Sequence, residues 1–370
     1  MSDLRLLAVV PDSNAAVKFR HLARYNPSTR WDCITIRDEA TTQLYDWADT
    51  VHHLCLRDRW FTDVPFAGCL PNIPELAYER AVAQLDLPLV TNFMHFPEAL
   101  LDPCEVLNTM LTRWTARHYD ALILWGERCW YNEVTKAWAQ MWSKDAPLPT
   151  VFMERTVFPG MFTVDGTGLS AGHNDLPLYR DVRMETDEFA AWVSGMTLTG
   201  VEQQRPTTAA EVRQLLPPGK TIFVPLQMPF DTNMVFRAEG GVNTNEALLD
   251  WVARHRPGMR VVVKKHPGDW FTDAGRLAAK CEELGFLLVD FAIHPLLEQV
   301  QEVVTINSQV GIEAWMHGVP VKWLGEPGFK LEGVTGAEML QVLRKGYYVV
   351  PGEFGGRVRE IIKRGPVTEV

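Results

Sequence analysis

Six cysteines, Cys33, Cys55, Cys69, Cys104, Cys129 and Cys281, are spread over 370 residues, and no two are spaced CxxC. This sparse use excludes a zinc ribbon or a disulfide scaffold and fits a reducing compartment. No run of about 18 apolar residues occurs, so the sequence offers no membrane-spanning helix. An excess of positive charge is also lacking: 36 Lys and Arg stand against 46 Asp and Glu, a net charge of −10. That balance disfavours a general nucleic-acid binder. Walker A, GxGxxG and HExxH motifs are absent, as are repeats and low-complexity tracts. The first residues lack a basic leader and a cleavage pattern, and read as a strand rather than a signal peptide. The expected location is the cytoplasm, with peripheral contact to an inner membrane left open.

Short apolar runs alternate with helical patterns along the chain. Strands are expected at Leu4–Val10, Cys33–Ile36, Val51–Leu56, Leu89–Asn92, Leu122–Trp125, Thr150–Met153 and Met161–Asp165. Helices are expected near Ala15–Tyr25, Ile73–Gln84, Cys104–His118 and Asn132–Trp142. A second block has strands at Thr221–Gln227, Met259–Lys264, Phe286–Asp290, Glu302–Ile306 and Pro320–Leu324. Its helices are Asn243–His255, Leu277–Leu284 and Ser308–His317, with Asn243 and Glu246 read as a capping box. Such alternation predicts an α/β protein with two Rossmann-like domains facing a cleft. The expected limits are 1–200, 215–345 and a tail or helix at 346–370, with a linker at about 195–219.

Four stretches could carry chemistry. A strand ends in Lys264-Lys265-His266-Pro267, which puts positive charge and a hydrogen-bond donor where open α/β sheets bind ligands; solvated loop lysines are the alternative. A second strand runs into Asn307-Ser308-Gln309-Val310-Gly311-Ile312-Glu313. There Ser308 suits a helix N-cap, or the helix start faces an anion. Glu313 suits either ribose hydroxyls or the first-turn dipole. Gln227 and Asp231 flank Pro229 after a third strand and fit a polar ligand or a turn. Glu154 and Asp165 close two neighbouring strand-like runs. Asp165, before Gly166, is a candidate nucleophile or base for glycosyl transfer, or an Asp-Gly turn residue. Trp270 and Trp323 lie near these segments, whereas Trp125, Trp130, Trp138 and Trp142 read as core. His52 and His53 read as largely structural.

Taken together, Glu154…Asp165-Gly166-x-Gly168, Gln227-x-x-x-Asp231, Lys264-x-His266-Pro267, Asn307-Ser308-x-Val310-Gly311-x-Glu313 and Gly318-Val319-Pro320 resemble the capsular polysaccharide biosynthesis family. Its characterised members include bacterial β-Kdo (3-deoxy-D-manno-octulosonic acid) transferases. The resemblance covers roughly residues 120–335. It implies a two-domain, GT-B-like glycosyltransferase that uses CMP-Kdo as substrate, with no metal and no separate cofactor. It implies that His266, Pro267 and Ser308 handle the nucleotide and that Asp165 is the nucleophile of a retaining transfer, with Glu154 and His266 assisting. Gln227, Asp231, Lys264, Lys265, Asn307, Gln309, Gly311 and Glu313 complete the expected substrate site. The implied partners are a nucleotide-sugar donor and a glycan or glycolipid acceptor, with no nucleic acid. The sequence departs from the family at Glu154-Arg155-Thr156, at Gly168-Leu169-Ser170 and at Thr232-Asn233, on the acceptor side or near the reacting centre. Another CMP- or UDP-sugar donor, or a non-catalytic nucleotide-binding subunit, are the alternatives.

Overall fold

A computed structural model describes residues 3–11, 13–35, 47–53, 119–126, 148–169, 174–195, 207–216, 219–229, 238–269 and 271–365, with positions 44, 132, 135, 136 and 234. The strand expected at Leu89–Asn92 and the helices expected at Ile73–Gln84 and Cys104–His118 lie outside these residues. So do Asp231, Trp130, Trp138, Trp142 and Trp270.

The N-terminal sheet has β1 (Leu4–Val10), β2 (Thr29–Thr35), β3 (Thr50–His53), β4 (Ala121–Trp125), β5 (Thr150–Arg155) and β6 (Phe162–Asp165). A two-residue strand from far down the chain, β12 (Tyr348–Val349), completes it. The strand order is β12-β6-β5-β4-β1-β2-β3. β1 through β5 pair in parallel, and β6 and β12 are antiparallel additions. β1 is buried along almost its whole length, which explains its unbroken apolar run: a central parallel strand has no solvent face.

The second sheet has β7 (Thr221–Pro225), β8 (Arg260–Lys264), β9 (Leu287–Val289), β10 (Glu302–Thr305) and β11 (Val321–Trp323). Every pairing is parallel and the order is β11-β10-β7-β8-β9. Both sheets thus follow the same 3-2-1-4-5 pattern in their parallel parts. In each, the strand order reverses beside the first strand and opens a crevice beyond the carboxyl ends. The second crevice lies between the ends of β7 and β10.

The described helices are α1 (Ser13–Tyr25), α2 (Thr186–Gly195), α3 (Ala209–Leu215), α4 (Asn245–His255), α5 (Ala274–Glu283), α6 (Ile293–Leu297), α7 (Val310–Met316), α8 (Gly336–Gln341) and α9 (Phe354–Arg364). The cap of α4 corrects one expectation. Thr244, not Asn243, is the N-cap, its side chain accepting from the Ala247 amide at 3.1 Å. The Asn245 side chain is used differently, as described below.

The C-terminal stretch returns to the first sheet. On α9, Phe354, Val358 and Ile361 are buried in the same core as Leu6, Phe19, Leu22 and Trp31. Trp31 and Phe354 stack at 5.6 Å. Asn26, just past α1, donates to the Leu22 and Pro351 carbonyls at 2.8 Å each and accepts from the Gly355 amide at 3.1 Å. A Cβ at Gly355 would sit 2.9 Å from Asn26 Oδ1, so this closure needs glycine. A further core joins Phe158, Met161 and Leu176 to Ile312, Met339, Leu343 and Tyr347. Residues of both sequence blocks therefore share one interior beside the cleft.

Candidate active site

The crevice of the second sheet is built on Gln227 and Asn307, two residues past the ends of β7 and β10. Gln227 Nε2 donates to Asn307 Oδ1 at 2.8 Å, and the Asn307 amide donates to Gln227 Oε1 at 3.1 Å. The Gln227 backbone is clamped as well. Its amide donates to Asn245 Oδ1 at 3.1 Å, and Asn245 Nδ2 donates to its carbonyl at 2.7 Å. Both polar atoms of the Gln227 side chain are thus taken by Asn307. Gln227 holds Asn307 in place at the point where the strand order reverses.

The basic segment beside it is more structural than its letters suggest. Lys264 is buried, with Nζ 3.3 Å from Asp290 Oδ1 at the end of β9. Lys265 Nζ donates to the Thr272 carbonyl at 2.7 Å. His266 is half-exposed, and its Nδ1 accepts from the Gly268 amide at 3.0 Å. In the neutral ring this contact fixes the proton on Nε2. Pro267 is exposed. Asp269 Oδ1 accepts from the Phe271 and Thr272 amides at 3.0 and 2.9 Å and fastens the loop.

After β10, the Ser308 amide donates to Thr305 Oγ1 at 3.4 Å, and Ser308 Oγ accepts from the Val310 amide at 3.3 Å. The helix starts two residues later than expected, with Gln309 as its N-cap. Gln309 reaches the first sheet, donating from Nε2 to the Arg155 carbonyl at 3.3 Å. At Gly311 a Cβ would lie 2.0 Å from the Trp323 ring, so the glycine lets α7 close onto β11. Trp323 packs at 5.5 Å on Phe329, which lines the cavity described below. Glu313 is buried, and desolvation pushes its carboxyl up to about 7. Its Oε2 lies 3.7 Å from His294 Nε2, and His294 Nδ1 lies 2.8 Å from His317 Nε2. Desolvation holds both imidazoles below their ordinary range, with His317 adding to the effect on His294.

The first sheet supplies two carboxylates in opposite settings. Glu154, on β5 opposite Thr163 of β6, is partly exposed. Asp165, at the end of β6, has no exposed surface. Its Oδ1 accepts from the Thr167 and Gly168 amides at 2.8 and 2.9 Å. Its Oδ2 accepts from the Asp175 amide at 2.7 Å and the Tyr347 hydroxyl at 2.9 Å. Burial, with the neighbouring Asp175 charge, pushes it up to about 6 against the pull of three backbone amides. Asp175 in turn accepts from the Gly166 amide, the Thr167 hydroxyl and Arg364 of α9. Asp165 therefore does not face the cleft as a nucleophile must. It organises the turn that follows β6.

An open cavity lies where the halves meet. Glu154, Thr163, Leu169, Tyr347 and Tyr348 line it from the side of the first sheet. Asn307, Gln309, Pro327, Gly328 and Phe329 line the other side. Glu154 is its one ionisable carboxylate among the described lining. Burial, and then the charge of Glu154, raises the Tyr348 phenol. The structure thus joins Glu154, Asn307 and Gln309, while His266, Lys264, Lys265 and Glu313 stand outside the lining. Thr163, Phe329, Tyr347 and Tyr348 were not anticipated. The run Tyr347-Tyr348-Val349-Val350, aromatic and β-branched, was the available signal for a returning strand.

Two parallel sheets of the same strand order with a cavity between them define a GT-B-like α/β architecture. A model of the capsule polysaccharide biosynthesis protein family matches residues 171–346. Protein FixF of Sinorhizobium fredii (strain NBRC 101917 / NGR234) is 27% identical over 192 residues, 50% of this chain and 44% of the relative. The match thus spans less than half of that relative's length. Among solved structures, the β-Kdo 2,7 transferase of Thermosulfurimonas dismutans KpsC is similar at 19% identity and a TM-score of 0.44, over 75% of this chain and 95% of that one. The UDP-GlcNAc 2-epimerase of Methanocaldococcus jannaschii is similar at 9% identity and a TM-score of 0.34, over 98% and 100%.

Proposed function

We propose that this chain is a glycosyltransferase of surface-polysaccharide synthesis that takes its sugar, Kdo, from CMP-Kdo. The supporting observation is the shared cavity, which sets Glu154 of the first sheet against Asn307 and Gln309 of the second. The nucleotide would lie over the crevice between β7 and β10, close to His266, Pro267 and Ser308. His266 Nε2–H is the group suited to the departing phosphate. The sugar would extend toward Glu154 and the aromatic wall of Phe329 and Tyr348, with a glycan or glycolipid acceptor entering from the open side.

Retention at the sugar needs a carboxylate within reach of the anomeric carbon. Asp165 is walled off and has both oxygens occupied, so Glu154 is the group we assign to the sugar side. Asp231, four residues after Gln227, lies outside the described residues. The test is incubation with CMP-Kdo and an acceptor, with product and intact-protein mass followed together. Glu154→Gln is expected to lose transfer at least a hundredfold while CMP still raises the melting temperature as in the wild type. Wild-type transfer by Glu154→Gln would remove Glu154 from the reaction. Stabilisation by UDP but not CMP would replace the donor class.

A further inference from the structure

We infer that the outer face formed by α1 and α9 docks on an anionic lipid surface. The chain is acidic overall, yet these two helices gather seven Lys and Arg and one Glu in their 24 residues. α1 contributes Lys18, Arg20 and Arg24 with no acidic residue, and α9 contributes Arg357, Arg359, Lys363 and Arg364. The helices are neighbours, since Asn26 beyond α1 bonds to Pro351 and Gly355 at the start of α9. The Arg359 guanidinium stands near this junction: a Cβ at Gly355 would lie 3.3 Å from its Nη1 and 2.9 Å from Asn26 Oδ1. Two of the charges are committed elsewhere, Arg364 to Asp175 and Arg357 to Glu360. Arg24 and Lys363 remain outward, with Lys18 and Arg359 half-exposed.

Charge is accompanied by exposed apolar surface on the same helix. Ala15, Ala16, Phe19 and Leu22 face the core, which turns Val17, His21, Arg24 and Tyr25 outward as one stripe. Val17 is 47% and Tyr25 59% exposed, two of four large hydrophobics so exposed among the described residues. The His21 and Tyr25 rings meet edge to face at 5.0 Å. Tyrosine suits the headgroup level of a bilayer, where its ring meets acyl chains and its hydroxyl meets water. A net charge of −10 repels an anionic bilayer, so adsorption through this face would also orient the protein. The buried apolar side of α9 is core, so the mode is adsorption of a folded surface, not helix insertion. This reading is independent of which sugar is transferred.

Co-flotation of the full chain with phosphatidylcholine vesicles, with and without phosphatidylglycerol, tests it. The wild type is expected to float with phosphatidylglycerol vesicles at low salt, and to be released near about 0.5 M NaCl as the charges are screened. The triple variant Lys18→Glu, Arg24→Glu, Lys363→Glu is expected to lose binding by about a hundredfold or more, with an unchanged far-ultraviolet spectrum. Tyr25→Ala is expected to lose binding several-fold while the salt dependence persists. Failure of the wild type to float, equal binding to neutral vesicles, or full binding by a folded triple variant would each overturn the inference.

Discussion

Asp165→Ala separates two roles that the sequence alone could not. If Asp165 organises the turn after β6, its removal must cost stability. Four donors converge on it: the amides of Thr167, Gly168 and Asp175 and the hydroxyl of Tyr347. Each buried donor left unmet costs about 1–3 kcal/mol, so the three amides alone amount to roughly 6 kcal/mol. Against this stands the cost of keeping the carboxylate charged. A pKa raised from 3.8 to about 6 corresponds to about 3 kcal/mol at neutral pH, relieved when the group is deleted. The expected net loss is about 3 kcal/mol at pH 7. It should grow at pH 5, where the wild-type group is largely protonated and about half of that relief is lost. Scanning calorimetry at both pH values measures this, with transfer from CMP-Kdo assayed alongside. A nucleophile behaves oppositely, since functional sites trade stability for chemistry. A variant that melts at or above the wild-type temperature yet transfers nothing would refute the turn-organiser reasoning.

Gln227→Ala strips the Asn307 amide and side chain of their partner and should destabilise by about 2 kcal/mol. It should raise KM for the donor more than it lowers kcat, because Asn307 is displaced rather than removed; equal effects on both would point to direct contact with the reacting atoms. Gly311→Ala would force a Cβ into the Trp323 ring and is expected to lower the melting temperature by several degrees; an unchanged melt would contradict the close packing of α7 on β11. The carboxyls of Asp165 and Glu313 are both raised on folding, to about 6 and about 7. The folded state therefore holds protons that the unfolded chain releases, and this stabilisation is full below about pH 4 and lost as pH climbs to about 7. Glu313→Gln should flatten that decline by about 3 kcal/mol, and parallel wild-type and variant curves would exclude Glu313 as a source.

Much of the parallel architecture was open to direct reading. Val261-Val262-Val263 and Leu4 through Val10 are unbroken apolar runs, as strands covered on both faces require. The return of the chain to the first sheet was not. β12 is two residues long, too short for any period, and its partner β6 lies more than 180 residues earlier. Its place depends on Tyr347 reaching Asp165 and on Phe354 reaching Trp31, contacts no local pattern encodes. The cap of α4 failed for a smaller reason. Asn243 and Thr244 are both cap-forming types, and Thr244 takes the place while the neighbouring Asn245 side chain is committed to the Gln227 backbone.

The carboxylates carry the same lesson into the site. Glu154 and Asp165 both close strands in one antiparallel pair, and as letters either suits an anomeric carbon. What distinguishes them is where each strand end falls relative to the interior. Asp165 pairs with Phe152 and sits where Asp175, Tyr347 and Arg364 arrive from distant segments, so its oxygens are filled by the fold. Glu154 pairs with Thr163 and stands at the cavity, where Asn307 and Gln309 arrive from the other sheet. The lysines diverge from expectation on the same grounds: a cation at a strand end is available to a phosphate only if no nearer acceptor claims it, and Asp290 and the Thr272 carbonyl lie within reach of Lys264 and Lys265. Positive charge at this crevice is therefore spent on holding loops, and under the proposed function donor recognition would fall to His266 and to neutral hydrogen-bond groups. A donor site of that kind should lose little affinity with salt, in contrast to the basic face of α1 and α9, whose binding should vanish over the same range.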